Sequence, residues 1–550
     1  MNKKSSENTE VTAQKKQKST DSPVIKNEIY EIDIVGLTSE GAGVGKIYFD
    51  EVEGAVAGTN ATAKNGVSQD KVCGKMNDAE GGSDVGADAG GARGTAGDAG
   101  QGTSRSNGFA VFVPFALPGE RAKVQIVKAL KNYAFGKLLE TLSPSPDRVE
   151  PKCPVASRCG GCSLQHISYA AQLKLKQTQV VDALRKIGGF EKELEDKSFV
   201  VEPTVGMEDP WRYRNKSQMP FARNKDFEIV SGFYRPGSHD IVATESCIIQ
   251  GKVADRMVAS IKEFAIQNKL PIYDEKTGVG LLRHVMTRVG KKTGEIMVVI
   301  VITGKGIPNE DGLVEKLKND IEYHFRTSGC TLQSVIINTN TKSTNVVLGK
   351  INRTIFGKDF ITDKIGKFTF KISPLSFFQV NTVQTNVLYE KAMEFADLKG
   401  GETVIDAYCG AGTISLFLSQ KAEKVIGVEI VKSAIADAIE NAKINKVENV
   451  EFICGEAEKI IPALYKKGVK ADVVVVDPPR KGCDIKLLET IVAMEPEKIV
   501  YVSCDPSTLA RDLKYLAGKG FEVKKAQPVD MFPQTNHIEV VVKLRRQECS

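Results

Sequence analysis

Thr403-Val404-Ile405-Asp406-Ala407-Tyr408-Cys409-Gly410-Ala411-Gly412-Thr413 is the stretch that decides the fold of the C-terminal part of this chain. Thr403 to Asp406 is a short apolar run ending in an acid, and it reads as a strand. The glycines that follow let the backbone approach a ligand closely. Gly412 to Ser419 then opens a helix. The pattern is D-x-x-x-G-x-G, which differs from the G-x-G-x-x-G of dinucleotide enzymes. Outward from it, strands are predicted at Lys424–Glu429, Val450–Cys454, Ala471–Asp477 and Lys498–Val502, with a helix at Lys432–Asn445 and a last strand at His537–Leu544. Strands alternating with helices predict a doubly wound parallel sheet. Ligands of such sheets bind outside the carboxyl ends of the strands, and Glu429 stands at one of those ends, where it can accept hydrogen bonds from ribose hydroxyls.

A second strand end carries Tyr501-Val502-Ser503-Cys504-Asp505-Pro506. A thiol at a ligand-binding edge is a candidate nucleophile. Taken alone it is better read as a small buried residue closing a strand. Upstream, Cys153, Cys159 and Cys162 form a tight run, Cys-x5-Cys-Gly-Gly-Cys. A fourth ligand has to come from elsewhere. Four thiolates suit zinc or a [4Fe–4S] cluster, and spacing alone favours zinc.

The chain has 550 residues, too many for one core, and its net charge of +6 permits a nucleic-acid partner without demanding one. Residues 1–26 lack an apolar core and read as a mobile, weakly basic tail rather than a signal peptide. No apolar run approaches the roughly 18 residues that span a bilayer. The expected setting is cytoplasmic, with no membrane contact and no evident obligate protein partner. Short strand-like runs between about 27 and 142 predict a small β-barrel. They are interrupted at about 50–107 by Gly/Ala/Asp/Ser-rich sequence that reads as a disordered insertion. A proline-rich linker at 143–152 leads into a mixed α/β region running from about 150 to 370, and the doubly wound sheet occupies 371–550.

Loop, Glu429 and the later Asp477-Pro478-Pro479-Arg480 together resemble class I S-adenosylmethionine-dependent methyltransferases, which have a Rossmann-like fold. Four strings narrow this: Asp477 to Arg480, Ser503 to Thr508, Phe532 to Glu539, and Ser376-Phe377-Phe378-Gln379-Val380-Asn381. Together they resemble the RNA uracil-5-methyltransferase family, over essentially the whole chain apart from the tail and the insertion. The resemblance implies Cys504 as the nucleophile that adds to uracil C6 and Glu539 as the base that removes the C5 proton. It implies Gln379, Tyr408, Glu429 and Asp477 as contacts of S-adenosylmethionine. It supplies Cys247 as a fourth ligand beside Cys153, Cys159 and Cys162, and it moves the expectation from zinc to a [4Fe–4S] cluster.

By the same resemblance the barrel is a TRAM domain, an OB-like RNA-binding module. Arg121, Lys123, Lys128, Lys131, Tyr133 and Lys137 have the character that binds single strands. Trp211-Arg212-Tyr213-Arg214-Asn215-Lys216 interleaves aromatic and basic residues near the expected cleft. Phe377 and Phe378 suit either a base pocket or core packing. The expected substrate is 23S ribosomal RNA. A tRNA T-loop uridine is the alternative, and a non-catalytic RNA-binding assembly factor is the alternative of another class.

Overall fold

Val473-Val474-Val475-Val476 is fully buried, and its side chains alternate between two cores. Such an unbroken apolar run is what a parallel strand covered on both faces requires. The computed structural model describes residues 22–38, 40–49 and 108–547. Most of the tail and the insertion fall outside those residues. The chain divides into two compact units that meet in sequence at Arg148 and Val149.

The first unit contains β1 (Ile29–Leu37), β2 (Gly43–Ile47), β3 (Phe109–Val113), β4 (Arg121–Ala129) and β5 (Tyr133–Ser143), closed into a barrel in the order β1-β2-β3-β5-β4. Period-two alternation sends Ala122, Val124 and Ile126 of β4 inward, between the outward Arg121, Lys123 and Gln125. Gly136 is required on β5, because a Cβ there would stand 2.2 Å from Val124 Cγ1. Val24 belongs to this core, so the barrel begins inside the segment that the sequence assigns to the tail.

The second unit opens with α1 (Tyr169–Ala183), α2 (Glu191–Glu195) and the short strand β6 (Val200–Val201). There follow β7 (Lys216–Arg223), β8 (Ile229–Tyr234), β9 (Ile241–Ala243), α3 (Lys252–Gln267), β10 (Leu282–Val289), β11 (Glu295–Ile302), α4 (Glu310–Phe325), β12 (Thr331–Thr339) and β13 (Ile351–Gly357). They build a seven-stranded sheet, β13-β12-β11-β10-β7-β8-β9, on which α3 and α4 pack. A hairpin of β14 (Ile361–Ile365) and β15 (Phe368–Ile372) comes next.

The C-terminal sheet is built from α5 (Thr382–Ala396), β16 (Thr403–Ala407), α6 (Thr413–Leu418), β17 (Lys424–Glu429), α7 (Lys432–Ile444), β18 (Val450–Cys454), α8 (Ala457–Lys466), β19 (Val473–Val476), α9 (Ile485–Met494), β20 (Lys498–Ser503), α10 (Pro506–Ala517), β21 (Phe521–Val529) and β22 (Glu539–Arg546). Its order is β18-β17-β16-β19-β20-β22-β21-β6. The first five strands are parallel, as the sequence predicts. Two features differ from the sequence expectation. β22 is antiparallel to both β20 and β21. And β6, assigned by sequence to the central region, pairs with the edge of this sheet, while Val180, Leu184, Phe190 and Phe199 join its core. The reason is physical: Val180, Leu184, Phe190 and Phe199 are apolar and find their cover in one core with Leu509, Ala510, Leu513 and Leu516 of α10.

Candidate active site

The loop between β16 and α6 is bent by three alternate left-handed positions, Tyr408 (φ 65), Gly410 (φ 56) and Gly412 (φ 76). Gly412 has no room for a side chain, since a Cβ would meet Phe452 Cζ at 2.6 Å. The loop is tied to the next strand end: Gly410 N–H donates to Glu429 Oε2 at 3.2 Å, and Val431 N–H to Glu429 Oε1 at 2.8 Å. Tyr408, whose left-handed backbone is a strained state for a side-chain-bearing residue, donates from its hydroxyl to Glu458 Oε1 at 2.7 Å.

All six residues singled out from sequence (Gln379, Tyr408, Glu429, Asp477, Cys504 and Glu539) line one cavity of about 930 Å³. It lies at the carboxyl edge of the sheet, beside the point where the strand order reverses between β16 and β19. Gln379 is placed by a buried relay: Asn215 Nδ2 donates to Gln379 O at 2.9 Å and to Thr382 Oγ1 at 3.0 Å.

Cys504 and Glu539 are brought together by the antiparallel course of β22. Ser503, the last residue of β20, pairs with Val540, so the ladder ends with Cys504 and Glu539 side by side in chain register. A parallel strand would have put its own last residue at this edge. Cys504 also precedes the N-cap of α10, where Asp505 Oδ1 accepts from Ser507 N–H at 2.9 Å and Thr508 N–H at 3.1 Å.

Burial dominates the electrostatics. It raises the Asp477 carboxyl to about 7. It raises Asp406 to about 7 as well, against a 2.5 Å hydrogen bond from Ser415 Oγ. Glu539, 5% exposed, is pushed well above the usual carboxylate range by burial and then by Asp477, with Arg480 opposing. The Cys504 thiol is pushed up to about 11 by burial, then by Glu539 and Asp477, again with Arg480 opposing. Arg480 and Glu458 had gone unassigned in sequence. Arg480 sits directly after Asp-Pro-Pro and could have been noticed there, whereas nothing local marks Glu458. Both Phe377 and Phe378 line the cavity, but Phe378 is buried in the core, ring to ring with Phe370 at 6.2 Å, whereas Phe377 is 71% exposed.

Comparison with known proteins fits this geometry. The family model described as tRNA (Uracil-5-)-methyltransferase matches residues 318–547, and the TRAM domain model matches 93–139. An uncharacterized RNA methyltransferase of Clostridium tetani is 52% identical over 81% of this chain and 94% of its own length. One of Halalkalibacterium halodurans is 50% identical with the same coverage. The chain belongs to the RNA uracil-5-methyltransferase family. Among solved structures, the tRNA (uracil-54, C5)-methyltransferase of Pyrococcus abyssi, in complex with S-adenosyl-L-homocysteine, matches with a TM-score of 0.62 and 30% identity. The match covers 80% of this chain and 96% of that one. This uracil-5-methyltransferase is thus an S-adenosylmethionine-dependent enzyme with an N-terminal TRAM barrel. The acid-lined cavity suits a cationic methyl donor.

Four cysteines of this uracil-5-methyltransferase line a second cavity of about 260 Å³, walled by Cys153, Cys159, Cys162 and Cys247 with Arg214 and Lys216. All four are free thiols. Burial pushes Cys162 up to about 12 and Cys247 up to about 11. Among the described residues, no group of three or more His, Cys, Asp or Glu side chains is gathered to hold a metal ion. The donor chemistry fits a thiophilic metal, and the thiols are near enough to raise one another's proton affinity around the one cavity.

Within the string 211–216, Tyr213 and Asn215 are buried and the other four residues are half-buried. Tyr213 is buried and its hydroxyl donates to Pro533 O at 3.0 Å. Arg212 holds the Cys247 loop, donating to Cys247 O at 2.8 Å and Asp255 Oδ2 at 2.7 Å. On the barrel, Arg121 and Lys123 are engaged by Glu31 and Glu140. Phe112, Tyr133 and Phe135 instead form an outward aromatic cluster with ring centroids 5.5–5.8 Å apart, and Lys128 lies cross-strand from Phe135. No helix among the described residues is long and apolar enough to cross a membrane.

Proposed function

We propose that this enzyme methylates uracil C5 in 23S ribosomal RNA through a covalent adduct on Cys504. The observation that carries the reading is the meeting of Cys504 and Glu539 at the ends of two antiparallel strands, inside the cavity formed by the cofactor loop. Uracil C5 is a poor nucleophile. The Cys504 thiol gives its proton to solvent and its sulfur adds to C6, forming an S–C6 bond and moving the C5–C6 electron pair into an enolate, which makes C5 nucleophilic. Bound S-adenosylmethionine supplies the methyl group. Glu539 then takes the C5 proton, the C–H pair re-forms the C5–C6 double bond, and the C6–S pair returns to Cys504. The high proton affinity of Glu539 suits it to that step. Gln379, Tyr408, Glu429 and Asp477 hold the methyl donor, and Arg480 offsets negative charge at the thiol.

A base in folded RNA has to leave its stack to present both ring faces. Phe377, exposed at the cavity, offers such a base a stacking surface. The aromatic cluster Phe112, Tyr133 and Phe135 with Lys128 gives the barrel a surface for unpaired RNA. Cys153, Cys159, Cys162 and Cys247 hold a [4Fe–4S] cluster in this reading, supported by four free thiols around one cavity. Methyl transfer needs no electron, so the cluster's role is structural.

One specific observation favours a second reading, in which the substrate is tRNA: the Pyrococcus abyssi relative is named for uracil-54 of tRNA. Labelled S-adenosylmethionine offered with separate rRNA and tRNA transcripts distinguishes the two. Label in rRNA alone supports the first reading and label in tRNA alone the second. Bound RNA without label in either would leave the non-catalytic assembly factor. Iron and acid-labile sulfide content after anaerobic purification tests the cluster; zinc without sulfide would overturn it.

A further inference from the structure

The Glu539 carboxylate has no hydrogen bond or ion pair among the described residues; only burial and the nearby charges of Asp477 and Arg480 act on it. Its place is therefore set by backbone alone: its own ladder position opposite Val529 and the segment Met531–Ile538 that leads into it. That segment is held by the chain that follows the third cysteine. Ser163 N–H and Leu164 N–H, immediately after Cys162, both donate to Gln534 O at 3.1 and 3.0 Å. Ser163 Oγ donates to Asn536 Oδ1 at 3.3 Å and accepts from Asn536 N–H at 3.1 Å.

Gln172 on α1 closes the arrangement. Its Oε1 accepts from Gln534 N–H at 3.1 Å, and its Nε2 donates to Gln534 Oε1 at 3.1 Å. The same Nε2 faces Leu164 O at 3.1 Å and Ile167 O at 2.9 Å, so one of its two hydrogens is shared. Gln172 is 1% and Gln534 2% exposed. Gln534 is kept at φ 70, a left-handed state that a glutamine holds only when its surroundings over-determine it. Two residues separate Asn536 from Glu539.

We infer that Gln172 and Ser163 are positioning residues for Glu539, transmitting the set of the cysteine loop to the base. The inference rests on Glu539 being the base that resolves the adduct. Filling or emptying the cysteine cavity then acts on proton removal, rather than on cofactor or RNA binding. A base displaced by about 1 Å loses on the order of a hundredfold in rate, and the step it fails is the one after methyl transfer.

The test uses the full-length enzyme with its RNA substrate and compares Gln172→Ala, Ser163→Ala and Glu539→Gln. Folding is checked by thermal melt and by retained S-adenosylhomocysteine binding. Trapped enzyme–RNA adduct resistant to denaturation is the readout. Expected is that both positioning variants accumulate adduct as Glu539→Gln does, with kcat lowered at least tenfold and KM for RNA changed less than twofold. Normal turnover in both variants would overturn the inference. So would lost turnover without adduct while Glu539→Gln accumulates it, because that is the mark of a merely structural defect. If Glu539→Gln itself turns over normally, the base assignment fails and the inference with it. If Gln172→Ala does not fold, Ser163→Ala alone decides by the same criteria.

Discussion

Lys176 Nζ donates to Asp530 Oδ1 at 2.5 Å with both side chains inside the protein, 1% and 0% exposed. The pair joins α1 to the end of β21, where the chain turns toward Glu539. Tyr169 adds a second bond to the same carboxylate at 2.8 Å, and Lys176 also reaches Phe532 O at 3.1 Å. Burial lowers the Lys176 ammonium's proton affinity, and Asp530 opposes that shift. Removing one partner leaves a buried charge unpaired. Lys176→Met is expected to lose about 3–5 kcal/mol of stability, read by chemical denaturation. Asp530→Leu combined with Lys176→Met should recover much of that loss, because no lone charge remains.

The Cys504 thiol is expected to react slowly at neutral pH in the cofactor-free enzyme. Its proton affinity, raised to about 11, leaves little thiolate there. Iodoacetamide labelling of the Cys504 peptide, followed by mass spectrometry, should climb as pH rises toward 11. Glu539→Gln removes a negative neighbour and should move the profile to lower pH. Arg480→Ala removes the opposing positive charge and should move it higher. Each unit of displacement is a tenfold change in thiolate at fixed pH.

Asp477, which lines the cavity, and Asp406, buried near the end of β16, both lie near 7 and hold protons that ordinary carboxylates would have lost. A bound sulfonium favours the ionised carboxylate, so binding near pH 7 should release protons. Calorimetry in buffers of differing ionisation enthalpy should show more proton release for S-adenosylmethionine than for S-adenosylhomocysteine, whose sulfur is neutral. Equal release would mean that these acids do not sense the sulfonium. The same shifts carry a stability sign: folded groups with raised values contribute most below pH 4, and that contribution is lost as pH rises through 7.

Gly412→Ala should destabilise the enzyme by about 1–3 kcal/mol through overpacking alone, with the left-handed φ of 76 adding to the cost. Cofactor affinity should fall with it, since relief of the contact with Phe452 shifts the loop that Glu429 holds. A thermal melt with and without S-adenosylhomocysteine measures both effects.

On the barrel, Phe112→Ala, Tyr133→Ala and Phe135→Ala should each weaken RNA binding by about 1–3 kcal/mol. Lys128→Ala should flatten the salt dependence of binding by about 0.7 in log–log slope. Arg121 and Lys123, already paired with Glu31 and Glu140, should matter less. Filter binding over a salt series separates these contributions.

Much of the site could be read from sequence because its parts are local. A strand ending in an acid, a glycine turn and a helix start occupy consecutive residues from Thr403 to Ser415, and Cys504 lies directly after β20. Local chemistry dictates such units: close backbone approach needs Gly412, and a strand end exposes whatever follows it. The string 211–216 was harder, because alternating aromatic and basic residues look the same whether they face RNA or bury their polar ends in the protein. Only the partners Pro533, Gln379 and Asp255, far away in the chain, show that Tyr213, Asn215 and Arg212 are ties.

The amino-acid sequence by itself determined the parallel α/β sheet, the glycine loop after β16 and the identity of the thiol at its edge, since periodicity and turn chemistry act over a few residues. Tertiary structure alone decided that β22 runs antiparallel between β20 and β21, and so that Glu539 begins its strand where Cys504 has just ended the neighbouring one. It alone decided that β6 and α1 cover the C-terminal sheet and that the cysteine loop grips the segment before Glu539. An apolar strand can pair in either direction and with many neighbours. Its choice depends on burying faces contributed from distant parts of the chain, and no local pattern encodes that.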